Sequence, residues 1–137
     1  MSSGYSKTPL GKKLGLKEGF KIVLYQQPEN YFDLLQYWPE GIAILEDAQT
    51  ESSDFIHLFC LHFEELQQVL STYIQALKKN GSLWVSWPKG TSGIETDLNR
   101  DVIREYILKT TPLVDVKVAA VDQDWSGLKF MYRLKNR

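Results

Sequence analysis

Apolar residues follow two alternating rhythms along the chain. Short, nearly unbroken apolar runs occupy residues 20–25 (FKIVLY), 42–45 (IAIL), 54–60 (DFIHLFC) and 83–87 (LWVSW). Such runs predict strands covered on both faces, as in a parallel sheet. Between them lie stretches with helical spacing. In the clearest, Phe63, Leu66, Leu70, Tyr73, Ile74 and Leu77 recur at steps of three and four and form one stripe. Glu64 and Glu65 stand in its first turn and Lys78 and Lys79 in its last, as the helix dipole favours, and Asn80-Gly81 is expected to end it. A shorter helix is predicted from Pro28 to about Tyr37, stopping before Pro39. Another has Leu98, Val102, Ile103, Tyr106 and Ile107 on its inner face, Asp97 as its cap and Thr110-Thr111-Pro112 as its stop. Residues 6–14 read as an opening helix, with Thr8 as cap, Pro9 in the first helical position and Gly15 at the end. Residues 114–121, with Asp115 and Lys117 on one face, and residues 128–134 read as two last strands. The turn at 122–127 joins them into an antiparallel hairpin.

Composition narrows the class. The chain has 137 residues, 43% hydrophobic and 24% charged, enough for a single globular domain over 1–137 with its own core. Sixteen basic residues against seventeen acidic ones leave a net charge of -1, so nucleic acid held by bulk charge is the least supported partner. One cysteine excludes an internal disulfide framework, and two histidines argue against a structural zinc cage, so no metal is expected. The polar start lacks a signal-type apolar segment, and no apolar run approaches ~20 residues. The expectation is a cytoplasmic protein with no membrane partner and a reduced Cys60.

Strands and helices alternate through two-thirds of the chain, and a hairpin closes it. That order predicts a three-layer α/β fold around a mostly parallel sheet of about six strands. The layout resembles the Rossmann-like fold of S-adenosylmethionine-dependent methyltransferases in a shortened form. Residues 14–24 (LGLKEGFKIVL) are similar to the lead-in to that family's first motif. Residues 54–59 (DFIHLF) sit where the family keeps its central strand. Residues 77–85 (LKKNGSLWV) are similar to its "L-K-x-G-G-x-L" approach to the next strand. Glu46 falls where the family's ribose-binding acid would be, although the family's third strand and its helix are missing. The family's first motif ends in a glycine-rich turn that lets the backbone approach the cofactor. Here residues 25–30 (YQQPEN) hold no glycine, and Pro28 removes a backbone donor. From this loss the expectation is a degenerate cofactor motif and no cofactor, with S-adenosylmethionine disfavoured. The whole chain also resembles a group of short bacterial proteins through residues 4–10 (GYSKTPL), 82–89 (SLWVSWPK), 96–102 (TDLNRDV) and 125–130 (WSGLKF). That likeness implies no particular activity.

In open parallel sheets, ligands sit beyond the C-terminal ends of the strands, where strand order reverses. A methyltransferase-like order places that reversal between the first and third strands. The candidate ligand-binding residues at this edge are Gln26, Gln27, Trp87, Lys89, Asn99, Arg100, Asp124 and Trp125. Each also has a plainer reading. Trp87 and Trp125 can close the core at the rim; Arg100 can pair with Asp101; Asn99 can bond locally at a helix start; Asp122 and Asp124 can serve their own turn. His57 reads as a satisfied core histidine. His62 beside Cys60 suggests a Cys–His pair without a third group. No acid–base dyad, triad or metal set stands at diagnostic spacing, so no catalytic residue is assigned. The expected role is a binding or interaction module whose partner is an unknown small molecule or a protein, including a second copy of the chain. The alternative is an enzyme with its pocket at this edge, of which a divergent S-adenosylmethionine-dependent methyltransferase is one form.

Overall fold

The computed structural model describes residues 8–137. Six strands form one sheet: β1 (Lys21–Tyr25), β2 (Ala43–Ile44), β3 (Ser53–Phe59), β4 (Leu77–Pro88), β5 (Leu113–Ala120) and β6 (Trp125–Tyr132). Their spatial order is β2-β1-β3-β4-β6-β5. β2, β1, β3 and β4 run parallel, and β6 lies antiparallel between β4 and β5. This is the expected α/β arrangement, hairpin included. Order reverses between β1 and β3, so their C-terminal ends face a crevice.

Alternate residues of β3 feed two cores, which explains its continuous apolar run. Phe55 and Phe59 join Trp84, Tyr31 and Leu35 beneath α1 (Leu10–Leu14) and α2 (Tyr31–Leu35). Ile56, Leu58 and Cys60 join Leu66, Leu70, Ile103 and Ile107 beneath α3 (Phe63–Tyr73) and α4 (Arg100–Thr110). The Trp84 indole N–H donates to the Leu14 carbonyl at 2.9 Å and ties the end of α1 to the sheet. Gly11 allows α1 to lie against the chain after α2, because a Cβ there would come within 2.7 Å of the Tyr37 carbonyl oxygen. No helix among the described residues is long and apolar enough to cross a membrane.

Several boundaries differ from the sequence reading, each for a local reason. Pro9 stands outside α1 as its N-cap, and the expected start at Ser6 and Lys7 lies outside the described residues. The helix expected from Pro28 begins only at Tyr31, whose N–H donates to the Pro28 carbonyl, and Gln36 ends it in a left-handed conformation (φ 51). The long apolar stripe is not all helix. α3 ends at Tyr73, a single 3-10 turn follows over Ile74–Ala76, and Leu77 already pairs with Ser53. Lys78 to Gly81 therefore belong to β4, in a register shift after which Ser82 pairs with Phe55. Gly81 is not a helix cap. A Cβ there would sit 2.9 Å from Leu77 Cδ1 and 3.0 Å from the Asp54 carbonyl oxygen.

Helix caps are also exchanged. Asn99, not Asp97, caps α4, and its Oδ1 accepts from the Val102 N–H at 2.9 Å. Asp97 Oδ1 instead accepts from the Phe63 N–H at 2.8 Å and caps α3 from a distant loop. The Thr96 hydroxyl donates to the Leu61 carbonyl, which fastens the same loop to the end of β3.

Candidate functional site

The sheet's C-terminal edge is built from the ends of β1 and β3 and the turn before β6. After Tyr25 the chain reverses at Gln26, which adopts φ 56. A left-handed residue at this point is the turn that glycine makes most readily; here a glutamine makes it. Residues 25–30 hold no glycine, yet the left-handed conformation is present, carried by Gln26.

Glu65, in the first turn of α3, reaches back over the crevice. Its Oε1 accepts from the Leu61 N–H and its Oε2 from the Tyr25 hydroxyl, each at 2.8 Å. Burial and the Glu65 carboxylate push the Tyr25 phenol up to about 12, so it stays a hydrogen-bond donor at neutral pH. Burial first, then Glu65, pushes the Cys60 thiol to about 12. A thiol held so high is not a nucleophile. His62 is exposed and lies 3.9 Å from Asp97, which leaves the Cys–His suggestion without geometry.

On the other side, Asp122 Oδ1 accepts from the N–H groups of Asp124 and Trp125 at 2.8 Å each, a local turn that fixes Trp125. The indole meets Phe59 edge to face, with centroids 5.2 Å apart. Gln26, Phe59, Leu61, Glu65 and Trp125 together line a cleft of about 140 Å³. Among the described residues, no three His, Cys, Asp or Glu side chains group as a metal site needs.

The eight expected residues divide. Gln26 and Trp125 meet in the cleft, and Gln27 follows, exposed, on the rim. Trp87 packs into the core beneath α3 and α4, whereas Trp125 packs against the core beneath α1 and α2, so the sheet separates the two tryptophans. Lys89 and Asp124 meet through their backbones, the Lys89 N–H donating to the Asp124 carbonyl at 2.8 Å. Arg100 pairs with Asp101 at 3.3 Å, and Asn99 is engaged as the α4 cap. Glu46 lines a separate depression of about 260 Å³ with Lys21. The cause is the shortness of β2, whose pairing with β1 stops at Ile22, before β1 ends. Phe59 and Glu65 were not expected at the site. Glu65 left a signal, since Glu in the third helical position commonly reaches back to the amide before the helix.

Neither a protein-family model nor a curated protein matches the sequence. Solved structures do match the fold. An S-adenosylmethionine-dependent methyltransferase from Aquifex aeolicus superposes with a TM-score of 0.60 at 15% identity, over 89% of this chain and 87% of that one. A TehB-like S-adenosylmethionine-dependent methyltransferase from Corynebacterium glutamicum gives 0.57 at 10% identity, over 90% and 85%. The 1,6-didemethyltoxoflavin-N1-methyltransferase of Burkholderia thailandensis, with bound 1,6-didemethyltoxoflavin and S-adenosylhomocysteine, gives 0.57 at 12% identity, over 90% and 74%. The fold is therefore the methyltransferase-like, Rossmann-like fold that the sequence resembles. The expectation of no cofactor is overturned by the same finding: two of these neighbours are S-adenosylmethionine-dependent, and the third carries S-adenosylhomocysteine.

Proposed function

We propose that this chain is an adenosyl-ligand-binding domain that takes S-adenosylmethionine or S-adenosylhomocysteine at the C-terminal edge of its sheet. The observation that carries this reading is the position of the cleft, between the ends of β1 and β3, where strand order reverses. Its walls suit an aromatic base. Trp125, Phe59 and Leu61 offer apolar surface, and Gln26 and Glu65 offer polar atoms at the margin. Each Glu65 oxygen already accepts one hydrogen bond and retains a lone pair for an amino group of a ligand. A volume of about 140 Å³ equals roughly five waters. It holds one planar ring system, and the remainder of the ligand lies outside it.

When bound, S-adenosylmethionine supplies an electrophilic methyl group. The chain's own residues supply position: Asp122 holds the Trp125 backbone, Glu65 fixes the Leu61 amide, and the Tyr25 hydroxyl donates to Glu65. Titration calorimetry of the full chain with S-adenosylhomocysteine tests the reading. Saturable binding is expected, weakened about tenfold by Trp125→Ala through loss of base–aromatic stacking. Absence of binding at millimolar ligand would remove it.

An exposed aromatic pair favours a second reading. Phe32 (44% exposed) and Trp38 (45%) meet edge to face at 5.2 Å on the α2 side, a surface suited to a second copy of the chain. Light scattering that finds only monomer at high concentration would count against it.

A further inference from the structure

The pairing of β5 with β6 slips by one residue at Val116. Asp115 stands opposite Phe130, yet Lys117 stands opposite Lys129, so one step on β6 spans two on β5. Such a bulge re-aims side chains, and it corrects the expectation that Asp115 and Lys117 share a face. Asp115 pairs with Arg104 of α4 at 3.1 Å. Lys117 is turned to the opposite side, directly across from Lys129. Like charges in that relation repel.

A third lysine joins them. Lys129 Nζ lies 3.8 Å from where a Cβ would stand on Gly15, at the start of the connection that carries Lys17. Burial first, then Lys117 and Lys17, lowers the Lys129 ammonium below the usual lysine value. None of the three lysines makes an ion pair among the described residues. A partly buried ammonium thus stands beside two like charges, and no carboxylate pairs with any of the three among the described residues.

We propose that Lys17, Lys117 and Lys129 bind a compact oxyanion of the phosphoryl class, carried by a small molecule, on the α1–α2 side of β5 and β6. Compactness follows from the charge distribution. The chain carries -1 overall, and a nucleic-acid strand needs a longer basic track than one cluster. Lys129 lies four residues from Trp125 along β6, about 13 Å at strand rise. The site is therefore separate from the cleft and stands or falls independently of the adenosyl ligand.

The test titrates inorganic phosphate and pyrophosphate into the full chain at constant ionic strength, with chloride as control, and follows amide and lysine Nζ resonances. A saturable shift centred on residues 17, 117 and 129 is expected. Lys129→Met and Lys117→Met should each weaken it about tenfold or more, the loss of a charge-assisted contact. Lys109→Met, on α4, should leave it unchanged. Without anion, Lys129→Met should match or exceed the parent in stability, because it relieves repulsion. An equal response to chloride, or unchanged affinity in both variants, would overturn the proposal. Oligonucleotide binding lost in these variants, without phosphate binding, would overturn it in favour of a strand.

Discussion

Burial of His57 should make the fold sensitive to acid. The ring is fully buried. Its Nδ1 lies 2.8 Å from the Tyr31 hydroxyl and its Nε2 2.7 Å from the Ser86 hydroxyl. It stacks on Phe59 with centroids 4.3 Å apart. Neutral imidazole donates once and accepts once, so both nitrogens are satisfied without a charge. Burial lowers its pKa from 6.5 to about 3. The unfolded chain thus takes up a proton that the folded chain refuses. His57's contribution is fully present above the unfolded value of 6.5 and is lost as pH falls towards 3. At about 1.4 kcal/mol per pH unit, acidification from pH 7 to pH 5 removes about 2 kcal/mol. The assay is urea unfolding at both pH values for the parent and for His57→Gln, whose amide also donates and accepts. The variant should be weaker at pH 7 but lose about 2 kcal/mol less on acidification. Parallel losses in the two proteins would refute the assignment, because every other titrating group is common to both.

Three further substitutions test the local geometry. Gly81→Ala should destabilise by about 1–3 kcal/mol, since its Cβ would press on Leu77 and the Asp54 carbonyl within β4; chemical denaturation reads this directly. Asp97→Ala should cost about 0.5–2 kcal/mol by uncapping α3, and hydrogen exchange should quicken at the Phe63 amide. Gln26→Gly should raise the unfolding midpoint by relieving the left-handed turn, a net gain of about 0.5–1 kcal/mol once glycine's added unfolded-state freedom is counted.

The sheet was legible because burial on both faces leaves continuous apolar runs, as in β3, and because its strands alternate with helices. The α3 stripe was legible too, but its end was not. Leu77 satisfies helical spacing and sheet burial equally, and pairing with Ser53 decides between them. Asp97 and Asn99 are both good caps, and only tertiary placement sends one to α3 and the other to α4. In the cleft, Gln26 and Trp125 were readable from their positions after β1 and at the edge where β6 begins. Phe59 was not, because a strand aromatic reads as core, and the first-turn position of Glu65 fits a dipole partner and a back-reaching cap equally. Trp87 seemed to belong with Trp125 because both lie near the same edge; alternation along adjacent strands puts them on opposite faces.

The most direct test of the adenosyl site is an amide and indole chemical-shift map of the full chain with S-adenosylhomocysteine. Shifts should concentrate at Gln26, Leu61, Glu65 and the Trp125 indole, with the Tyr25–Glu65 contact perturbed. A protein that binds the ligand elsewhere, or shows no shift at these positions at saturating ligand, would contradict the assignment.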